Sequence, residues 1–451
     1  MKRRDFLKRY ASTAAAGLGA YSTLGGLSLT NALANDSEYK ALVCVFLYGG
    51  NDSFNMVVPT DESAHNAYAD ARKNLAVSRS QLLPLDTVAS DGVRYGLHPA
   101  MPEIRDLYRA GKATVVGNVG PLLVPTTRDD FLNARVPVPP RLFSHNDQQD
   151  FWQSLELDKL QATGWAGRMA DALVSLNGQQ SLSMNISMAG SNLMQTGSAT
   201  IPYIASSEGI DRTKADVLLS GFGRASRRAN AMQALLDRES GHLLADQYRT
   251  TVRRANDLSN EIGGILNQSR RIDAGFPQTP LADSLQMVAR MISVRQTLGL
   301  KRQVFFIGYG GWDTHGSQNT RHPVLLRNLS QSLAAFYRAT DLLGLTNQVT
   351  TFTAADFGRT LTSNGDGSDH GWGGHQLVMG GAVRGQSIVG DMPVIAIDGP
   401  SDSGHGRIIP TLAVDQYCAT LARWFGLSNN NLDEVFPNLR EFSQRDLGFL
   451  A

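Results

Sequence analysis

Apolar segments that run directly into glycine and aspartate constrain this chain more than any other feature. Residues 41–48 (ALVCVFLY) are continuously apolar and lead into Gly49-Gly50-Asn51-Asp52. Such a run is typical of a strand buried on both faces, as in a parallel sheet. Ligands of open α/β sheets bind at the carboxyl ends of the strands, where these polar loops begin. Further runs of this kind lie at 113–117, 183–187, 304–308 and 349–355.

Segments with the hydrophobic periodicity of a helix lie between most of these runs, so strands and helices alternate along the chain. This alternation predicts an α/β fold with a mostly parallel central sheet. The stretch 211–300 differs, because it is rich in Arg, Asp, Gln, Leu and Ala and has almost no strand candidates. We expect it to be a helical insertion whose arginine pairs belong to a solvated face. The other predicted helices are 102–110, 147–157, 165–176, 323–345 and 412–425.

Composition narrows the class of protein. The chain has 451 residues, 42% hydrophobic and 18% charged, which is enough apolar material for one large α/β domain or two ordinary ones. The formal net charge of +1 gives no indication of nucleic-acid binding. Two cysteines, Cys44 and Cys418, exclude a disulfide scaffold and a cysteine-based zinc cluster. Both are expected to be buried thiols.

The first 34 residues are typical of an export signal. KRRDFLK at 2–8 precedes an uncharged stretch, 10–31, and the small-residue sequence Ala32-Leu33-Ala34. This pattern resembles a twin-arginine signal peptide. The alternative is an amphipathic first helix or a membrane anchor, but the stretch is weakly apolar for a membrane-spanning helix. The resemblance implies export by the twin-arginine machinery to the periplasm or beyond, with no stable membrane anchor after cleavage.

Cleavage after residue 34 would change the charge balance of the protein. It removes five basic residues and one acidic residue, leaving 37 Lys and Arg against 40 Asp and Glu. The mature domain, residues 35–451, is therefore expected to be slightly acidic.

Four loops combine glycine with aspartate or histidine, at 49–55, 308–316, 354–360 and 369–375. Three of them follow an apolar run, so a parallel sheet would bring their side chains to one edge. Several carboxylates in one cleft raise one another's pKa unless a cation is present. Mixed carboxylate and imidazole ligands suit Zn, or Mn or Fe, better than Ca. The predicted metal ligands are Asp52, Asp313, His315, Asp356, His370 and His375, although each one alone also fits a helix cap or a satisfied polar residue.

The catalytic candidates are Ser144, His145 and Arg359. Ser144 would lie at a helix N-terminus, which favours an incoming anion, and His145 could orient or deprotonate its hydroxyl. The alternative is a helix cap formed by Ser144 with Asp147. Arg359 could hold a phosphate or sulfate group bidentately, or it could pair with a structural carboxylate.

An ordered set of motifs resembles a known family. The motifs are LYGGNDSFN, LHPAMPEIRDLYRAGK, SHNDQQDFW, GWAGRMAD, GGWDTHGSQ, ADFGRT and DHGWGGH. They are similar to the domain of unknown function 1501, which is grouped with the alkaline phosphatase and sulfatase superfamily. The resemblance spans about residues 40–425. It implies an alkaline phosphatase-like three-layer sandwich with one or two divalent metal ions at the strand ends.

The same resemblance implies a function. Asp52 matches the superfamily's first aspartate, Asp313 and His315 its Asp-and-His pair, and Asp356 its later aspartate. Phe357 stands where the superfamily has a histidine, and the Cys-x-Pro-x-Arg pattern of sulfatases is absent. The expected protein is an exported metal-dependent hydrolase of a small anionic phosphate or sulfate ester. The alternative is a non-catalytic periplasmic or surface protein that retains the fold and binds a protein partner.

Overall fold

The apolar run at 41–48 forms the middle of the central sheet. The computed structural model describes residues 39–451 except 157–162, 179–181, 208–230, 232–233, 238–240 and 270. Strand β1 (Lys40–Leu47) pairs in parallel with β8 (Arg302–Tyr309) on one side and with β9 (Val349–Ala355) on the other. In both pairings the last residues are in register, since Leu47 lies opposite Tyr309 and Ala355.

Six more strands complete this sheet, and one of its long strands runs against the others. The strand β12 (Gly374–Gly380) is antiparallel both to β9 and to β5 (Ala113–Gly120). Its residues are all buried, so the predicted loop 369–375 ends inside the sheet. The remaining strands are β6 (Asn185–Ser187), β7 (Tyr203–Ile204), β13 (Ile388–Val389) and β14 (Leu412–Ala413), in the order β13-β5-β12-β9-β1-β8-β6-β7 with β14 beside β5.

Two small antiparallel sheets lie outside the central one. The first has the order β2-β4-β3, and the second pairs β10 with β11. The sequence indicated no strand in either place, because runs of three to six residues carry too little periodicity. Their bounds are β2 (Val57–Pro59), β3 (Leu83–Val88), β4 (Arg94–Leu97), β10 (Arg359–Ser363) and β11 (Ser368–His370).

Helices cover both faces of the sheet. Leu42, Cys44 and Phe46 of β1 point into one core cluster, while the intervening Val43 and Val45 are equally buried on the opposite face. The first core includes residues of the helices His145–Ser154, Trp165–Leu173, Val414–Phe425 and Asn429–Val435. The helices Pro102–Arg109 and Pro280–Ser293 contact β5 and β8, and Gln318–Leu342 packs on both of these helices.

The predicted α/β class with a mostly parallel sheet is confirmed. Within 211–300, the described residues include the helices Leu243–Gln268 and Pro280–Ser293. Cys44 and Cys418 are both free and buried. The predicted signal peptide, 1–34, lies outside the described residues. Among the described residues, no helix has both the length and the hydropathy required to cross a membrane.

Candidate metal centre

The carboxyl ends of three adjacent strands deliver the aspartates of the candidate site. β1, β8 and β9 end level with one another, and Asp52, Asp313 and Asp356 follow within five residues of those ends. The parallel register therefore places the three aspartates at one edge of the sheet, as the strand and loop pattern predicts. Whether they share one site depends on which partners each carboxylate takes.

Gly49 lets the loops after β1 and β8 meet. Its backbone adopts a φ of 114°, and a Cβ atom there would lie 2.3 Å from the backbone nitrogen of Asp313. The Gly49 N–H donates to Asp356 Oδ2 at 3.2 Å, and the Gly49 carbonyl accepts from Arg359 Nη1 at 3.1 Å. Only glycine permits both this φ and this contact. The residue thus brings three of the site segments together.

Three imidazoles surround the carboxylate of Asp313. Its Oδ1 lies 3.1 Å from His315 Nε2 and 3.5 Å from His370 Nε2, and its Oδ2 lies 3.6 Å from His145 Nε2. The Nε2 atoms of His315 and His370 are 2.8 Å apart. His145, Asp313 and His370 each offer a ligand atom, and these atoms lie within 4.8 Å of one another. We call His145, Asp313, His315 and His370 the His–Asp cluster.

Each imidazole of the His–Asp cluster is anchored through its other ring nitrogen. An Nδ1 atom bonded to a carbonyl or a carboxylate carries the hydrogen, so a neutral ring then has its lone pair on Nε2. Metal-binding histidines show this outward anchoring. His145 Nδ1 donates to Asp356 Oδ2 at 2.6 Å, and His315 Nδ1 donates to Asp369 Oδ1 at 2.9 Å. His370 Nδ1 donates to the Phe143 carbonyl at 2.8 Å.

The geometry fits a divalent cation. Two Nε2 lone pairs 2.8 Å apart repel each other unless a proton or a metal ion lies between or beside them. Three imidazole nitrogens and one carboxylate form a ligand set that suits zinc, manganese or iron, whereas calcium prefers oxygen ligands. The side chains are between 24% and 45% exposed, so the site is open to a cation and a small substrate.

Hydrogen bonds and burial set the protonation of the cluster. The hydrogen bond to Asp356 raises the pKa of His145 against the opposing effect of burial. Burial lowers the pKa of His370. Burial also acts to raise the pKa of Asp313, but Arg359, His315 and His145 together hold it below its ordinary value. Asp313 is therefore ionised at neutral pH and available as a ligand.

Arg359 positions Asp313 and is not free to clamp a substrate. Its guanidinium is fully buried. Nη1 donates to Asp313 Oδ1 at 2.7 Å, and Nη2 donates to the Ser368 carbonyl. Of the two interpretations of Arg359, the structure favours the pairing with a carboxylate. The partner is the aspartate of the cluster itself.

Asp356 lies beside the cluster and supports it. The side chain is fully buried, and its Oδ2 accepts from His145, from Gln149 Nε2 at 2.8 Å and from Gly49 N–H. His145 and Gln149 are four residues apart on one helix and so face the same way. The contacts of Oδ2 make Asp356 a positioning residue for His145, while its Oδ1 has no hydrogen-bond partner among the described residues.

Asp52 forms a separate buried ion pair. Its Oδ2 accepts from Arg72 Nη2 and from Gln318 Nε2, and both charged side chains are fully buried. Arg72 also donates from Nη1 to the Thr360 carbonyl at 2.6 Å and from Nε to Asn55 at 3.1 Å. The structure therefore joins Asp52 to Arg72, at the end of the helix Glu62–Arg72, and not to the His–Asp cluster.

His375 and Ser144 are also engaged elsewhere. His375 lies inside β12, where its Nδ1 accepts from the Asn118 N–H at 3.0 Å and burial lowers its pKa to about 3. Ser144 immediately precedes the helix His145–Ser154, but its hydroxyl donates to Asp147 Oδ2 at 2.7 Å. Neither contact leads to the His–Asp cluster.

Sequence reasoning missed four residues that shape the site. Arg72 lies outside the motifs and Gln318 is the last residue of GGWDTHGSQ, but nothing in the sequence indicated that either would hold Asp52. Gln149 could have been found from its spacing, four residues after His145. The sequence offered Asp369 only as the neighbour of His370, whereas the structure makes it the anchor of His315.

The fold and the site together define an α/β protein with a histidine-rich cluster at the strand ends whose ligand atoms could hold a metal ion. A family described as "Protein of unknown function (DUF1501)" matches residues 39–436. The chain belongs to this family, as the motifs predict. No curated protein matches the chain.

Two solved structures show a distant likeness to this chain. A structure titled "Crystal structure of Ps i-CgsB in complex with k-i-k-neocarrahexaose" is 10% identical over 87% of this chain and 74% of its own, with a TM-score of 0.33. The PsFucS1 sulfatase from Pseudoalteromonas sp. is 9% identical over 91% of this chain and 72% of its own, with a TM-score of 0.31. Likenesses this low carry no argument about activity.

We predict that replacing Arg72 by methionine destabilises the protein by about 3–5 kcal/mol, because it leaves the Asp52 charge buried and unpaired. The measurement is the free energy of unfolding from chemical denaturation. Arg94→Met is the matched control, since Arg94 pairs with Asp61 at the surface and its loss should change little. Equal effects of the two substitutions would contradict the buried pairing.

Proposed function

We propose that the protein is an exported, metal-dependent hydrolase of phosphate or sulfate esters, with its metal held by His145, Asp313, His315 and His370. One observation carries this proposal. Three imidazoles, each anchored outward through Nδ1, direct their Nε2 atoms at one ionised carboxylate. A set of lone pairs converging on one point is the arrangement that a cation stabilises.

The ligand set favours zinc, with manganese or iron as alternatives. The His–Asp cluster offers ligands for one ion per chain. A divalent ion bound there supplies Lewis acidity toward an ester oxygen. The protein's own residues set the geometry: Asp356 orients His145, Arg359 holds Asp313, and the ring of Phe357 packs 4.9 Å from His145 and 4.6 Å from His370. Phe357 thereby keeps water from one side of both imidazoles.

The charge of the site supports an anionic substrate. Arg359 pairs with Asp313, while Asp356 and Asp369 accept hydrogen bonds from the Nδ1 atoms of His145 and His315, so a bound divalent cation would be the positive charge on the Nε2 side of the imidazoles. Oppositely charged groups attract a phosphate or sulfate ester to such a centre. The substrate class that fits is therefore a small anionic ester.

Water is the nucleophile that this arrangement favours. The hydroxyl group of Ser144 donates its hydrogen to Asp147, so it does not face the His–Asp cluster. His145, whose ring lies between Asp356 and Asp313, is placed as a ligand and not as a base for Ser144. Hydrolysis would then be a direct displacement at phosphorus or sulfur by water.

A non-catalytic binding or assembly protein is the second candidate. Its support is the pair Asp52 and Arg72, because an aspartate expected at the metal is neutralised by a guanidinium instead. A protein partner outside the cytoplasm would then replace the substrate. The two candidates differ in metal content and in turnover.

We predict that the purified mature protein holds at least one Zn, Mn or Fe per chain and that Asp313→Ala removes it, because Asp313 is the only carboxylate among the four proposed ligands. The measurement is elemental analysis after exhaustive dialysis. Asp398→Ala, which changes an exposed aspartate, is the matched control and should keep the metal. A native protein that carries no metal under these conditions would refute the metal centre.

We further predict turnover of at least one aryl phosphate, phosphodiester or aryl sulfate by the metal-loaded protein. His370→Ala should reduce kcat/KM by about 100-fold or more, because it removes one ligand of the ion. Ser144→Ala should retain activity if water is the nucleophile. Metal-loaded protein without turnover of any of these esters would favour the binding candidate, and loss of activity in Ser144→Ala would restore Ser144 as the nucleophile.

Export is part of the proposal and rests on the sequence of residues 1–34. We expect conversion of both Arg3 and Arg4 to lysine to leave the uncleaved precursor in the cytoplasm, because twin-arginine export requires the arginine pair. Fractionation followed by immunoblotting measures this distribution. Arg9→Lys is the control and should be exported normally; export of the double variant would exclude the twin-arginine route.

A further inference from the structure

A cavity of about 460 Å³ lies beside the first turns of the helix Gln318–Leu342. Its volume is within the range of small-molecule sites. The described residues that line this cavity include none of the four residues of the His–Asp cluster. Leu75, Val77 and Pro99 supply apolar wall, while His98 and His322 supply its buried imidazoles.

Within the described residues, His98 has an N–H group without a hydrogen-bond partner. The residue is 7% exposed, and its Nδ1 accepts from the Ala100 N–H at 3.0 Å. Burial, with the charges of His322 and Arg327, lowers the pKa of His98 to about 3, so the ring is neutral at physiological pH. Because Nδ1 is an acceptor, the single ring hydrogen is on Nε2. Among the described residues, no hydrogen-bond acceptor is found for this N–H.

His322 presents the complementary group. Its Nε2 lies 3.0 Å from Asn51 Oδ1, which can only accept, so Nε2 carries the hydrogen and Nδ1 carries a lone pair. Burial lowers the pKa of His322 to about 4, which keeps this ring neutral as well. The rings of His98 and His322 are nearly perpendicular, with centroids 6.1 Å apart. Within the described part of the chain, Nδ1 of His322 has no hydrogen-bond donor.

Asn55 and Gln318, two polar neighbours in the wall, are engaged with other residues. Asn55 Oδ1 accepts from Tyr68 and Arg72, and Asn55 Nδ2 donates to the Leu75 carbonyl. Gln318 donates to Asp52 and accepts from Thr314 and Ser368. The buried part of the cavity wall therefore presents the N–H donor of His98 and the nitrogen acceptor of His322, while Ser78, Gln81, Asn319 and Arg327 add polar groups elsewhere in the wall. The two imidazoles are held in fixed tautomers by hydrogen bonds on the far side of each ring.

We propose that this cavity binds a neutral polyhydroxy compound, such as a sugar ring or a cyclic polyol, through His98 and His322. One hydroxyl group satisfies both residues, because its oxygen accepts from His98 Nε2–H and its hydrogen is donated to His322 Nδ1. The apolar wall packs against the C–H face of the ring. A carboxylate or a phosphate could pair with Arg327 in the wall, but its oxygens would also face the lone pair of His322, which a hydroxyl group satisfies. The inference does not depend on the metal centre.

The test uses the full mature protein with D-glucose, D-galactose, D-xylose and myo-inositol as probes. Imidazole nitrogen NMR of the wild type should show the Nε2–H tautomer for both His98 and His322. At least one probe should shift these two signals at millimolar concentration. This first measurement needs no variant, so it does not depend on the folding of a mutant.

Two substitutions then locate the binding. His98→Phe and His322→Phe should each weaken the affinity for that probe by about tenfold, which corresponds to the loss of one hydrogen bond. His242→Phe alters an exposed histidine and serves as the control, with unchanged affinity. The proposal is overturned if none of the four probes shifts the two imidazole signals, so that the cavity holds water only. It is equally overturned if binding survives both substitutions at full strength.

Discussion

The arrangement of the candidate centre depends on one buried guanidinium. Arg359 is fully buried and joins Asp313 to the end of β1, through the Gly49 carbonyl, and to β11, through the Ser368 carbonyl. Burying a cation without partners costs several kcal/mol of folding free energy, so the buried guanidinium of Arg359 requires these contacts. Because His370 is the last residue of β11, the same guanidinium sets the distance between this imidazole and Asp313.

Hydrogen bonds that fix the tautomer of a histidine occur at both sites in the molecule. In the His–Asp cluster, acceptors outside the site hold the hydrogen on Nδ1 and turn the Nε2 lone pairs inward. In the cavity, the outer partners of His98 and His322 hold the hydrogen on Nε2 of both rings. Among the described residues, the nitrogens left without a partner are the Nε2–H donor of His98 and the Nδ1 acceptor of His322. Three like lone pairs favour a cation, whereas a donor beside an acceptor favours a hydroxyl group. The ligand of each site thus follows from the outer hydrogen bonds.

The sequence predicted the strands more completely than the partners of the site residues. The apolar runs indicated β1, β5, β8 and β9, and the glycine and aspartate after them indicated an edge rich in ligands. His370 was predicted on a loop, but it ends the short strand β11, whose three residues show no periodicity. His375 was predicted on the same loop and is instead in β12, where burial in the sheet removes it from the site.

The amino-acid sequence by itself determined the α/β class, the family and the edge of the sheet at which the aspartates gather, because these follow from local hydrophobic pattern, from the motifs and from chain order. Only the tertiary structure decided which partner each aspartate takes. Asp52 is neutralised by Arg72, Asp313 by Arg359, and Asp356 bonds to a histidine 211 residues away in the chain. A carboxylate pairs with the nearest cation or N–H group in space, and spatial proximity over such separations is not encoded in any local pattern.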